Sequence, residues 1–202
     1  NRLDPWYDVY ADRAHNLRAS EIRALFSVVS RPEVVSLAGG MPNLKDLPLD
    51  RLAASAEKLI RNHGAQAMQY GSGQGWEVLR ERITEVMAYD GIVGADPDDV
   101  VVTTGSQQAL DLVTELFVNP GDVILAEAPS YVGALGVFRA RQADIVHVPM
   151  DENGIIPEAL VETIRDVRAS GRTIKFIYII PNYHNPAGVT LSAERRSEER
   201  RV

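Results

Sequence analysis

Three short segments place anion-binding, stacking and hydrogen-bonding groups just past the ends of apolar runs. Phe176-Ile-Tyr-Ile-Ile180 is the most apolar of these runs, and it delivers the turn Pro181-Asn-Tyr-His-Asn-Pro-Ala-Gly188. Five such residues in a row read as a strand covered on both faces, and polar groups just past the carboxyl ends of parallel strands line a ligand crevice. Asn185 there offers an amide donor to an oxyanion or phenolate, a hydrogen bond worth about 1.5–3 kcal/mol when the acceptor is charged. Asn before Pro is also a common turn former.

Val100-Val-Val-Thr-Thr-Gly-Ser-Gln-Gln-Ala109 reads as a strand, a glycine turn and a helix start. Free amides at a helix N-terminus and the helix dipole make a site for phosphate at Gly105, Ser106 and Gln107, the dipole part being worth roughly 0.3–1 kcal/mol. A Ser at that place also serves as an ordinary helix cap. Glu127-Ala-Pro-Ser-Tyr131 follows another strand end. It sets the Tyr131 ring where it can cover a flat ligand, for about 0.5–1.5 kcal/mol beyond area burial, although a single Tyr after a strand is more often ordinary packing.

The elements that must position these groups alternate from Asp98 onward. The sequence predicts strands over 100–104, 123–126, 145–148 and 175–180, and helices over 106–117, 132–140 and 157–169. Short strands alternating with helices imply crossover units and a mainly parallel sheet with helices on both faces, an α/β fold in three layers. Asn119-Pro-Gly-Asp122 and Asp151-Glu-Asn-Gly154 are the turn signals between them. Upstream, helices are expected over 21–29 (capped by Ser20), 50–63 and 76–89, with a short strand over 34–37. Gly71, Gly73 and Gly75 follow no strand, so they read as a permissive turn into a helix and not as a dinucleotide fingerprint.

Composition narrows the class. With 45% hydrophobic and 24% charged residues among 202, the chain is globular and long enough for a sizeable core. A net charge of -7 with scattered basic residues argues against a nucleic-acid footprint. The absence of cysteine excludes disulfides and thiolate metal sites. No apolar run is long enough for a membrane-spanning helix, and a cytoplasmic enzyme is expected.

In order and spacing, Thr104-Gly-Ser-Gln-Gln, Glu127-Ala-Pro-Ser-Tyr and Asn185-Pro-Ala-Gly resemble the fold-type I pyridoxal-phosphate aminotransferases. Ser36-Leu-Ala-Gly-Gly-Met-Pro42 and Gln69-Tyr-Gly71 look like the branch containing 2-aminoadipate and kynurenine aminotransferases. The resemblance implies a homodimeric enzyme that moves an amino group from an amino acid to a 2-oxo acid such as 2-oxoglutarate. It implies that Gly105, Ser106 and Gln107 hold the phosphate of pyridoxal 5'-phosphate, Tyr131 stacks on its ring, and Asn185 bonds its phenolic oxygen and contacts substrate. Tyr70 would reach the neighbouring subunit's site, Gly40 would border the substrate carboxyl, and Arg23 would meet the distal carboxylate of an acidic substrate. None of Lys45, Lys58 and Lys175 matches the family's Schiff-base lysine, which is expected beyond Val202 together with the pyridine-nitrogen acid and the carboxylate-binding arginine. The resemblance divides the chain into 1–65, an arm with part of a small domain, and 66–195, part of a cofactor-binding large domain. The charged 196–202 read as a non-native tail. A cofactor-binding sensor domain of a transcription regulator, or a lyase or synthase on the same scaffold, remains as an alternative.

Overall fold

The computed structural model describes residues 4–15, 28, 31, 33–35 and 44–198. They belong to two compact units, Met41–Gly105 and Asn1–Gly40 with Ser106–Val202. All of the expected helix over 21–29 except Val28, the end of the strand over 34–37, and both Arg23 and Gly40 lie outside the described residues.

The larger unit is built on a four-stranded sheet. Its strands are β1 (Val123–Ala128), β2 (Asp144–Asp151), β3 (Gly154–Ile155) and β4 (Ile174–Tyr178). Their order is β3-β2-β1-β4; β1 lies parallel to both β2 and β4, and β3 folds back antiparallel on β2. Val123, Ile124, Leu125 and Ala126 of β1 are all inaccessible to solvent, as an interior strand with both faces covered must be.

Period-two alternation sends the β1 side chains to two different cores. Ile124 and Ala126 meet Ala134, Leu135, Val137 and Phe138 of helix α5 (Val132–Ala140), with Leu110 of helix α4 (Ser106–Phe117) packed alongside. Val123 and Leu125 meet Leu160, Ile164 and Val167 of helix α6 (Pro157–Ala169) on the opposite face. Phe138 anchors the first core with its ring edge-on to Phe176 at 5.8 Å and Tyr178 at 5.4 Å. Helices therefore cover both faces of a mainly parallel sheet, as the alternating pattern predicts.

Three of the differences from expectation have identifiable reasons. Residues 100–104 form no strand: Val100 is extended, but the segment's ladder-like contact is a single bond from Val102 N–H to the Gln74 carbonyl at 2.8 Å. A strand needs a continuous ladder with its partner, and one bond to the Gln74 segment does not supply it. The strand expected to reach Ile180 stops at Tyr178, because the Ile180 N–H is taken by the Glu127 carboxylate. The turn at 151–154 carries a short hairpin, with Gly154 at φ +95 where Leu191 leaves no room for a Cβ.

A last helix, α7 (Ala193–Glu198), follows. Arg195 makes a bidentate pair with Asp151, at 2.6 and 2.7 Å, and donates to the Gly154 carbonyl. Arg196 donates to the carbonyls of Leu191 and Pro181 at 3.2 Å.

The Met41–Gly105 unit holds two longer helices, α2 (Leu49–Ala67) and α3 (Glu77–Tyr89). Arg80 of α3, 8% exposed, donates to the Pro97 carbonyl and to Asp98 at 2.7 and 2.9 Å. The glycine-rich turn before α3 behaves as read: Gly75 takes φ +101 tight against Val102, whereas Gly71 and Gly73 approach nothing.

Candidate functional site

Parallel pairing sets the carboxyl ends of β1 and β4 side by side, with Ala126 opposite Tyr178. The segments that leave them, 129–131 and 181–188, therefore share one edge of the sheet. The helices return antiparallel to the strands, which brings the first turns of α4 and α5 to the same edge, where Gln107 Nε2 donates to the Gly133 carbonyl at 3.4 Å. The two helices are also clamped along their length, since the Arg141 guanidinium bonds both carboxylate oxygens of Asp111 at 3.0 Å and Glu115 at 2.9 Å. That guanidinium holds the Asp111 carboxyl below the usual carboxylate range.

Gly105 adopts φ +84, a left-handed value that glycine takes at no steric cost, and turns the chain into Ser106, the first residue of α4. The N–H groups of a first helical turn have no partner within the helix. Ser106 and Gln107 are exposed there. Tyr131 is half-buried at the head of α5, and its ring lies on Gly133 so closely that an added Cβ would stand 2.5 Å from Cζ. The ring also packs on the α5-side core near Tyr178, whose phenol is pushed above its usual pKa by burial first, then by the neighbouring Tyr131 and Glu127.

Asn185 is exposed, on a turn whose peptide bond to Pro186 is cis. Its neighbour His184 is 2% exposed and turns inward to Glu127, itself 1% exposed, with Nε2 3.1 Å from Oε2. Sequence reasoning passed over both. The available signal was an acidic residue inside an apolar strand, because a buried carboxylate must find partners. Ser130 was also missed; its hydroxyl is buried beside Tyr131 and is without a hydrogen-bond partner.

The structure thus brings Ser106, Gln107, Tyr131 and Asn185 to one sheet edge without direct bonds among them. Tyr70 belongs to the Met41–Gly105 unit, where it is 99% exposed and borders a cleft of about 510 Å³ with His63, Trp76 and Arg80. No group of three or more His, Asp or Glu among the described residues could hold a metal ion, and none of the described helices is long and apolar enough to cross a membrane.

Residues 32–196 match the family model "Aminotransferase class I and II". The aromatic-amino-acid aminotransferase 1 of Thermococcus litoralis is 37% identical over 93% of this chain and 45% of its own length. The kynurenine aminotransferase of Pyrococcus horikoshii, solved with PMP, superposes with a TM-score of 0.87 at 34% identity, over 98% of this chain and 48% of that one. The α-aminoadipate aminotransferase LysN of Thermus thermophilus, solved with N-(5'-phosphopyridoxyl)-L-leucine, superposes with a TM-score of 0.83 at 33% identity, over 97% of this chain and 46% of that one. The chain spans about half the length of the relatives it matches. On the family match and these identities, it belongs to the class I and II aminotransferases.

Proposed function

We propose that this chain is the N-terminal part of a pyridoxal-phosphate-dependent aminotransferase that carries an amino group from an amino acid to a 2-oxo acid such as 2-oxoglutarate. The observation that carries the reading is the meeting, at one sheet edge, of an exposed helix start, a ring seated on Gly133 and a turn bearing Asn185 whose neighbour His184 meets Glu127. These groups suit a flat anionic cofactor. The first-turn amides of α4 and the Ser106 and Gln107 side chains would hold its phosphate, with Gly105 letting the backbone approach. The Tyr131 ring would lie against its pyridine face, and the partnerless Ser130 hydroxyl beside it suits a polar ligand. Asn185 would donate to its phenolic oxygen and contact substrate. The cofactor, when bound, supplies the electron sink for the carbanion, and the protein supplies position and electrostatics.

Tyr70, exposed on its own unit, would complete the neighbouring subunit's site in a homodimer. Gly40 would border the substrate carboxyl, and Arg23 would pair bidentately with the distal carboxylate of glutamate or 2-aminoadipate. The aminotransferase relatives favour this reading over the regulator and lyase alternatives.

Binding of pyridoxamine 5'-phosphate to the intact protein, followed by its fluorescence, tests the site. Asn185→Ala and Ser106→Ala should each weaken it about tenfold, the loss of one hydrogen bond to a charged group. Amino transfer from glutamate tests the reaction. Unchanged affinity in both variants would remove the site, and turnover without pyridoxal phosphate would remove the mechanism.

A further inference from the structure

We propose that Glu127 and His184 are positioning residues, a buried brace that ties both arms of the 181–188 turn to the central strand and thereby aims Asn185. The inference rests on the reading of Asn185 as a cofactor contact. Three contacts in series make the brace. The Ala187 N–H donates to His184 Nδ1 at 3.3 Å; His184 Nε2 lies 3.1 Å from Glu127 Oε2; the same oxygen accepts from the Ile180 N–H at 2.8 Å. An imidazole nitrogen that accepts carries no proton, so the Nδ1 bond places the proton on Nε2, which lies against the carboxylate at 3.1 Å without the alignment of a hydrogen bond, so the middle link is a close buried polar contact.

Ile180 precedes the turn, Ala187 lies on its far arm and Asn185 stands between them, so the brace closes a short loop around the residue it positions. The backbone of His184 is held as well, its N–H donating to the Val189 carbonyl at 2.7 Å. Adjacent residues then face opposite ways: His184 is buried and Asn185 is exposed. Glu127 belongs to β1, whose preceding four residues are wholly buried, so the reference point is the most rigid part of the sheet. Side chains that locate a functional group through two backbone hydrogen bonds and a buried contact between them act by reducing the error in its placement.

Two sets of measurements on the intact protein test the brace. Long-range proton–nitrogen NMR of His184 should show the proton on Nε2 and Nδ1 as the acceptor, and a proton on Nδ1 would overturn the proposal. Amide exchange at Ala187 and Gly188 should quicken about tenfold in His184→Leu and in Glu127→Ala, with amides of β1 unchanged. His184→Asn, which keeps an acceptor near the Nδ1 position but cannot reach Glu127, should show intermediate exchange, and it serves if the leucine variant does not fold. Glu127→Gln, whose amide oxygen can still accept the Ile180 N–H and lie against the imidazole, should restore slow exchange.

In the second set, His184→Leu should weaken pyridoxamine 5'-phosphate about tenfold, as Asn185→Ala does, and the double variant should lose no more than either alone. Additive losses would make His184 a merely structural residue. If Asn185→Ala left affinity unchanged, the Asn185 reading would fail by itself, while the tautomer and exchange results would still decide whether the brace exists.

Discussion

Gly133→Ala separates the shape of the site from the stability of the fold. Gly133 is the second residue of α5, and a Cβ there would stand 2.5 Å from Tyr131 Cζ and 2.6 Å from Cε1. Carbon atoms rest at about 3.5–4.0 Å, so the ring must retreat by roughly 1 Å or swing away. The backbone gains from the change, since Ala is favoured over Gly in a helix by up to about 1 kcal/mol, and the half-buried ring gives back part of that through lost packing. Net stability should therefore move by less than about 1 kcal/mol. The stacking face should be lost, and with it about 0.5–1.5 kcal/mol of cofactor affinity, a two- to roughly tenfold rise in Kd. Gly136→Ala is the matched control, three residues on in the same helix, where an added Cβ would meet nothing within 4 Å. It should stabilise by about the same helix term and leave affinity untouched. Urea unfolding and pyridoxamine 5'-phosphate titration of the two variants decide the matter. Equal affinities for both, with NMR contacts showing the Tyr131 ring displaced in one, would refute the stacking role.

Three further outcomes follow from the packing and charges. Phe138→Ala empties a fully buried position between Phe176 and Tyr178 and should cost about 3–5 kcal/mol, read as a large drop in urea midpoint; a loss below about 1 kcal/mol would mean the core collapses around the gap. Asp111→Asn should lower the midpoint modestly at neutral pH: the carboxyl pKa is depressed in the fold by Arg141, so its contribution is present above the unfolded carboxylate value and fades as pH falls through the folded value. Because the pair is partly exposed, the difference should shrink in high salt, and a gap that persisted at the lowest pH would rule out the ion pair as its source. Tyr178, whose pKa is raised by burial, contributes stability that is complete below about pH 10 and is lost as pH rises through the folded value. Tyr178→Phe should therefore resist alkaline unfolding better than the parent chain, and identical alkaline midpoints would contradict the burial argument.

The parts of the fold legible in the sequence are those whose signal is local. The helices at 106–117, 132–140 and 157–169 fall where periodicity and flanking turns put them, and β1 was announced by its apolar run. What escaped notice depends on distant partners. Residues 100–104 carry every mark of a strand, yet pairing is a property of two segments, and one backbone bond from Val102 to Gln74 does not make a ladder. Tyr178, not Ile180, ends β4 because a carboxylate 53 residues earlier competes for an amide. Among the site residues, Ser106, Gln107, Tyr131 and Asn185 were readable because each follows a strand end or a glycine turn. Glu127 stood in plain view within the same motif, but its role lies in His184 and Ile180, and no spacing rule joins them.

That difference bears on how such a site is built. A group that touches a ligand must be exposed, and exposed side chains on turns are poorly located by their own packing. Asn185 is such a residue, and its turn contributes little core of its own. The precision has to come from a buried neighbour that reports the position of the sheet, and the buried polar pair that links this turn to β1 is His184 and Glu127. Leaving a carboxylate and an imidazole wholly buried carries a desolvation cost that apolar residues of the same size would avoid, so packing stability alone gives no reason for the pair. Directional bonds to Ala187 and Ile180 do give one, because they fix the turn in three dimensions where a leucine at either position would fix only the distance. A Glu127→Leu, His184→Leu double variant puts the two accounts in opposition. It should stay folded, the desolvation cost removed offsetting about 1–3 kcal/mol for the Ile180 N–H that loses its acceptor, yet bind pyridoxamine 5'-phosphate about tenfold less tightly, the same loss expected when Asn185 itself is removed. Undiminished binding in a stable double variant would show that the turn needs no polar brace, and the pair would then be a feature of the core and not of the site.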